Sequence, residues 1–276
     1  MMTYSELYSL GSLKLKAAGI EEFKLDARLL LEHVCGTDAG FLFAHGDSEV
    51  SVEKENSYTE LIRRRTKREP LQHIIGTQCF MGLDFKVSPD VLIPRPDTEV
   101  LVECVLKELH DGMRILDMCT GSGCILLSLL KYSNDCEGVG ADISERALRI
   151  ARENAADLGV EATFIESDLF EKVSGSFDII VSNPPYIRTC EIEELEPEVR
   201  DHDPFIALNG HENGLYFYER IVKESPDHLK RGSQIFFEIG PEQGRDVSGL
   251  LLGAGFKDVR VLKDLAGLDR VVTARR

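Results

Sequence analysis

Apolar residues recur at two different periods along this chain, and the change of period divides it. Leu7, Leu10 and Leu13, then Ala27, Leu30, Leu31 and Val34, then Leu61 and Ile62 keep the three-to-four-residue spacing of helices. Gly19, Gly36, Gly40 and Gly46 punctuate them, so short helices joined by turns are predicted, forming a small helical domain over residues 1–69. Between 70 and 96 the pattern breaks. Cys79-Phe80-Met81 and Phe85-Lys86-Val87 flank Gly82, and Pro89, Pro94 and Pro96 follow, which predicts a linker bearing a β-hairpin.

From 97 to 276 helical faces alternate with short apolar runs. Strands are predicted at Arg114–Asp117, Gly138–Ala141, Ala162–Ile165, Phe177–Ser182, Ser233–Ile239, Asp258–Leu262 and Asp269–Thr273. Helices fall between most of them. The clearest is Ser144–Leu158, with a serine cap, an apolar face through Leu148 and Ala151, and Gly159 past its end. Such alternation predicts an α/β domain with a parallel, Rossmann-like sheet covered on both faces. The last two strands are joined only by Lys263–Leu268, too short for a crossover helix, so they should pair antiparallel.

The chain has 276 residues, 43% hydrophobic and 29% charged, as expected of globular protein. No apolar run approaches the roughly 18 residues of a membrane span, and the start lacks a signal peptide, so a cytoplasmic location is expected. The net charge of −16 disfavours binding to a bare phosphate backbone, and residues 1–70, with 10 basic and 12 acidic residues, carry little of it. Arg63-Arg64-Arg65, Lys67 and Arg68 form the one basic cluster. It reads as a solvated helix end, or as a contact for an acidic part of a protein substrate or for RNA. Glu193, Glu194, Glu196 and Glu198 form an acidic counterpart, expected to be solvated or to close over a substrate. Seven cysteines without a CxxC pair are expected to be reduced thiols, and no paired-histidine spacing points to a metal.

The strand Ile115-Leu116-Asp117 runs into Met118-Cys119-Thr120-Gly121-Ser122-Gly123 and then a helix, a turn that brings backbone N–H groups to a ligand. Leu126 stands where a dinucleotide fingerprint has its third glycine, and Asp117 suits a cation better than a diphosphate. Asp142 ends the next strand, where a carboxylate can accept both ribose hydroxyls; Asp168-Leu169 follows the third, placed to meet an adenine edge and face. Three acidic strand ends fit a cationic nucleoside without phosphates, S-adenosylmethionine.

The fourth strand delivers Asn183-Pro184-Pro185-Tyr186 at its C-terminal end. Neither proline has an N–H, so the turn offers carbonyl acceptors and a side-chain amide in a stiff frame. A planar –NH2 group can donate to the Asn183 oxygen and the Pro184 carbonyl, with Tyr186 as a flat wall. An amide nitrogen attacks a methyl group poorly until two fixed acceptors distort and align it. Asn183, Pro184 and Tyr186 are thus the candidate catalytic residues, with Pro185 completing the substrate corner.

With these segments on the page the chain resembles the HemK/PrmC family of release factor glutamine methyltransferases. The likeness runs through Arg68–Gln72, Val91–Glu99, Asp117–Gly123, Asp142, Ser182–Ile187, Ala207–Leu215, and Phe237–Gly240 with Gln243. It implies a seven-stranded methyltransferase domain behind a front helical domain that docks the substrate. It also implies methylation of the side-chain amide of the glutamine in the Gly-Gly-Gln motif of peptide chain release factors; separately, a monomer is expected. Its cofactor segment falls on Cys119–Gly123, Asp142, Leu169 and Asn183, and its glutamine-binding segment on Asn183–Tyr186. Cys119 stands where many members have glycine, so no positive φ is expected there; Leu169 replaces an aromatic found in some relatives. Two alternatives stay open: an adenine-amino nucleic-acid methyltransferase, which shares Asn-Pro-Pro-Tyr but sits poorly with the acidic charge, and a non-catalytic cofactor-sensing module.

Overall fold

The computed structural model describes residues 1–276, and its backbone divides into two units: Met1–Gly76 with Glu196–His202, and Thr77–Leu195 with Asp203–Arg276.

The first unit holds helices α1 (Tyr4–Ala17), α2 (Phe23–Cys35), α3 (Ala39–Ala44), α4 (Val52–Arg65) and α5 (Leu71–Ile75). Thr3 and Glu6 close a capping box at the start of α1, which satisfies two otherwise orphaned amides. Leu7, Leu15, Leu30, Leu31, Tyr58 and Ile62 meet in one core, and the Tyr58 hydroxyl donates to the Ala27 carbonyl at 3.1 Å. Leu71 and Ile74 of α5 are buried in that same core. The expected boundary at residue 69 therefore moves to Gly76, because an amphipathic turn of helix follows Pro70.

The four arginines of the basic cluster are paired with carboxylates within this unit. Arg65 is buried, pairing Asp26 at 2.7 Å and Glu198 at 2.8 Å; Arg68 pairs Glu198 at 2.7 Å; Arg64 pairs Glu69 and Arg63 pairs Glu60. Glu198 lies on α9 (Pro197–Arg200), so part of the acidic run expected to be solvated is instead structural. Sequence composition put both clusters in view, but their pairing depends on a chain return of about 130 residues that composition does not encode.

The second unit opens with the hairpin β1 (Thr77–Phe80) and β2 (Leu83–Lys86). It is not a linker. Phe80 and Phe85 are buried with Leu101, Val102 and Ile115, and the Lys86 amide donates to the Asn154 side chain at 2.7 Å. Burying each phenylalanine contributes about 2–3 kcal/mol, enough to hold a short hairpin in place.

Helix α6 (Pro96–Leu106), strand β3 (Arg114–Met118), α7 (Cys124–Lys131), β4 (Glu137–Asp142), α8 (Glu145–Leu158), β5 (Thr163–Glu166) and β6 (Phe177–Ser182) follow. After them come α10 (Phe205–Leu208), α11 (Tyr216–His228), β7 (Leu229–Glu238), α12 (Gly244–Gly253), β8 (Lys257–Lys263) and β9 (Asp269–Arg275). Seven strands form one sheet in the order β5-β4-β3-β6-β7-β9-β8. All run parallel except β9, which is antiparallel to both β7 and β8, as the short last connection requires. Ser144 caps α8 and Gly159 ends it in the left-handed region, both as predicted.

Between β3 and β6 the strand order reverses. Loops after these strands leave in opposite directions, which opens a crevice at the C-terminal edge of the sheet.

Candidate active site

A cavity fills this crevice. Its walls come from the ends of four strands: Cys119–Ser122 after β3, Asp142 and Ile143 after β4, Ser167–Leu169 after β5, and Asn183 and Pro185 after β6. Val91, Pro94, Arg95 and Thr98 close one side, and Pro204, Ile206 and Phe217 another.

The glycine turn is shaped by its own hydrogen bonds. Thr120 N–H donates to Ala141 O at 3.1 Å, Gly123 N–H to Thr120 O at 2.9 Å, and Gly121 N–H to the Asp142 carboxylate at 2.9 Å. Three amides that a phosphate cradle would direct at its ligand are thus spent internally, which argues against a dinucleotide. Gly123 sits at φ +80, where a Cβ would stand 3.1 Å from Leu127 and 3.2 Å from Ala151, so only glycine lets α7 approach α8 here. Asn154 of α8 donates to Ser122 O at 2.9 Å and to Lys86 O at 3.2 Å, tying the turn to the hairpin.

Cys119 overturns one expectation: it lies at φ +63. Leu169 also lies at a positive φ, +49. Two side chains bearing a Cβ are therefore held in the left-handed region on the wall of one cavity, at a cost of about 1–3 kcal/mol each, a pattern typical of functional sites. The residue type alone hides this, because glycine is the usual signal for a positive φ.

The three acidic strand ends take different roles. Asp142 reaches the cavity, with its oxygens accepting from Gly121 and, at 2.9 Å, from Ser144; burial raises its pKa and these amides pull it back. Asp168 also lines the cavity and is paired with Arg220 at 2.8 Å. Asp117 is fully buried beneath the turn and does not form the cavity wall. Its Oδ2 accepts from the Thr120 hydroxyl at 2.6 Å, its Oδ1 has no partner, and burial pushes its carboxyl up to about 7.

The Asn-Pro-Pro-Tyr turn is held from behind. Asn183 Nδ2 donates to Thr98 Oγ1 at 3.4 Å, which leaves its oxygen as the end available to accept. Asn183 and Pro185 line the cavity, with Pro184 between them in the chain. Tyr186 packs against the core instead of forming the expected flat wall, and its hydroxyl donates to Glu238 at 3.4 Å. Gln243 Nε2 donates to the Tyr186 and Gly214 carbonyls, both at 3.1 Å, while its Oε1 accepts from Gly240 N–H at 2.9 Å. A Cβ on Gly210 would lie 2.7 Å from the Tyr186 backbone, so glycine is required for this close approach.

Thr98, Glu238, Gln243 and Asn154 carry the site without having been assigned roles from sequence. Glu238 had a readable signal: a carboxylate at the end of the wholly apolar run Ile235-Phe236-Phe237. It is 2% exposed, and burial pushes its carboxyl up to about 7.

Residues 6–76 match the PrmC N-terminal domain, and residues 95–195 the methyltransferase small domain. Among solved structures, a methyltransferase from Pyrococcus furiosus shares the fold, with a TM-score of 0.54 at 17% identity over 71% of this chain and 90% of that one. The release factor glutamine methyltransferase of Geobacter sulfurreducens is 42% identical over 93% of this chain and 91% of its own. That of Clostridium acetobutylicum is 43% identical over 95% of this chain and 94% of its own. At such identity over nearly full length, the chain belongs to the release factor glutamine methyltransferase family.

Proposed function

We propose that this protein transfers a methyl group from S-adenosylmethionine to the side-chain amide nitrogen of the glutamine in the Gly-Gly-Gln motif of peptide chain release factors. The observation that carries this reading is the buttressed corner at Asn183, whose amide is held by Thr98 at its donor end on the wall of an acid-lined cavity.

The cavity suits the cofactor chemically. Its turn amides are already occupied, its charged walls include Asp142 and Asp168, and Cys119 and Leu169 supply apolar surface. Asp142 would accept the ribose hydroxyls, and Leu169 would pack on the adenine. When bound, S-adenosylmethionine supplies an electrophilic methyl carbon on a positively charged sulfur.

The protein's own groups then do the positioning. Asn183 Oδ1 and the Pro184 carbonyl accept the two amide hydrogens of the glutamine, which fixes the nitrogen and favours its distortion from planarity. Holding two reacting groups in line contributes several kcal/mol, up to about 7–11 in well-oriented reactions. No strong base is needed first, since the nitrogen becomes acidic only as it is alkylated and then releases its proton to an acceptor or water, with S-adenosylhomocysteine as the leaving group. All of these residues come from one chain, so a monomer suffices, and no helix is long and apolar enough to cross a membrane. A cytoplasmic location follows from the substrate.

Incubation of a candidate release factor with the enzyme and labelled cofactor, followed by intact-mass analysis and peptide mapping, tests the reading. One methyl group on the Gly-Gly-Gln glutamine is the expected result, with turnover reduced about 10²–10³-fold by Asn183→Ala and cofactor binding largely kept. Label found only in nucleic acid overturns it.

A further inference from the structure

One wall of the cavity is a segment with little structure of its own. Helix α10 is a single turn, and Pro204, Ile206 and Ala207 line the cavity from it and from the residue before it. A helix this short does not hold itself together in water. Side-chain packing adds little, since Phe205 is 57% and Ile206 52% exposed and only Leu208 of the four residues is buried.

The segment is placed by a tether at each end. After α10, Asn209 forms a parallel bridge with Ile187, just past the Asn-Pro-Pro-Tyr turn; Ile187 N–H donates to Leu208 O at 3.0 Å and Gly210 N–H to Ile187 O at 2.8 Å. Before α10, the Asp203 carboxylate, its side chain wholly buried, accepts from Arg95 Nη2 at 2.5 Å. Arg95 belongs to the stretch that closes another side of the cavity with Val91, Pro94 and Thr98, and it is the one basic residue lining a cavity that also holds Asp90, Asp142 and Asp168. A carboxylate opposes burial unless a cation meets it, so the chain at 203 settles only where it reaches Arg95.

We propose that the Arg95–Asp203 pair is a clasp across the cavity, and that Arg95 is through it a positioning residue that keeps the α10 wall closed over the cofactor. This rests on the reading of the cavity as the S-adenosylmethionine site.

The pair joins two cavity-lining segments 108 residues apart in the chain. With it broken, the α10 wall keeps only its tether at Asn209 and stands in place for a fraction of the time, and the apparent affinity for a ligand falls by that fraction. The loss belongs in the dissociation rate, because an open wall does not obstruct entry. Arg95 is 38% exposed, so water takes the place of Asp203 on the cation when the pair parts, and the clasp opens without stranding that charge. A lone cation in an acidic cavity has a rival role, direct contact with the carboxylate of the ligand's amino-acid end. The two roles differ in whether Arg95 matters once Asp203 has lost its charge, and in whether it matters before any ligand is bound.

The test measures binding of S-adenosylhomocysteine by isothermal calorimetry, and its release into excess unlabelled ligand, for wild type, Arg95→Gln, Asp203→Asn, the double variant and Arg95→Lys, with thermal unfolding of each. Each neutral single variant should weaken binding about 10-fold, nearly all of it in faster release. The double variant should match the weaker single variant within about 2-fold, since both substitutions remove one clasp. Arg95→Lys, which keeps the charge, should stay within about 3-fold of wild type. In ligand-free protein, hydrogen exchange of residues 204–209 should quicken about 10-fold in Arg95→Gln, with the rest of the sheet domain unchanged. The proposal is overturned if folded Arg95→Gln keeps wild-type affinity and exchange. It is equally overturned if the losses of the two single variants add in the double variant while exchange of 204–209 does not move, which assigns Arg95 to the ligand itself. Should the neutral variants fail to fold, Arg95→Lys carries the exchange measurement, with an acceleration of about 3-fold expected and none refuting the clasp. A wild type that binds no S-adenosylhomocysteine overturns the reading of the cavity, whereas one that binds it as tightly as every folded variant overturns the clasp alone.

Discussion

Asp117→Asn removes the most deeply buried carboxylate of the site while keeping its shape. Burial pushes this carboxyl from 3.8 up to about 7; the Thr120 hydroxyl and the Leu126 amide pull it down, and Asp142 adds to the rise. Between these two values the folded chain holds a proton that the unfolded chain has released. The stability contributed by this group is therefore complete below about pH 4 and is lost as pH rises through about 7. A difference of roughly three units amounts to about 4 kcal/mol, of which about 3 falls between pH 5 and 8. That is a large share of a typical total of about 5–15 kcal/mol. Asparagine still accepts from Thr120 but never ionises. Urea unfolding of cofactor-free protein, followed by circular dichroism across this range, should give a wild-type stability that declines more steeply than the variant's by about 3 kcal/mol. Glu238 titrates in both proteins and cancels in the comparison. Parallel curves would refute the reasoning, since they would mean that Asp117 is ionised in the folded state at no cost.

Arg65→Ala should lower stability by about 3–5 kcal/mol in thermal unfolding, because it leaves Asp26, 4% exposed, without its cation and Glu198 with Arg68 alone. Arg63→Ala, which breaks only an exposed pair with Glu60, should leave the melting temperature unchanged. Gly123→Ala should cost about 1–3 kcal/mol, since its Cβ meets Leu127 and Ala151 at a positive φ, and isothermal calorimetry should show weaker cofactor binding. Cys119→Gly should leave the melting temperature equal or higher, because relief of about 1–2 kcal/mol of backbone strain offsets the lost packing. A clear drop would mean that the left-handed conformation is not strained.

What the sequence discloses about this protein follows the range of the interactions involved. Ser144 and Gly159 bracket α8 as local propensity requires, and the short link after Lys263 dictates an antiparallel final pair. The Asn-Pro-Pro-Tyr turn is recognisable because its chemistry is contained in four consecutive residues. Its support is not: Thr98, Glu238 and Gln243 reach it from α6, β7 and the start of α12, across 85, 52 and 57 residues. Arg65 and Glu198 likewise lie 133 residues apart, so a buried ion pair reads in sequence as two unrelated charge runs. Asp117 differs again. Its position at a strand end is plain, but whether it faces the cavity or the space beneath the turn depends on the path of Cys119, which takes a backbone conformation that its side chain does not advertise.

Asp117 and Glu238 share one arrangement. Each is an acidic residue at or near the C-terminal end of a parallel strand, nearly or fully buried, bonded to a hydroxyl and left with one oxygen without a partner. Asp117 underlies the glycine turn through Thr120, and Glu238 underlies the Asn-Pro-Pro-Tyr turn through Tyr186. Burying a carboxylate without a counter-ion opposes folding, and a neutral residue of the same shape would be more stable in either place. Their presence is explained if what the loops need is direction rather than stability. A carboxylate, being acceptor-only when ionised, forces each neighbouring hydroxyl to donate inward, so the groups beyond it have one hydrogen-bonding sense. The glycine turn and the Asn-Pro-Pro-Tyr turn are then ordered by the same device, at the cost of a protein that becomes less stable toward the alkaline side.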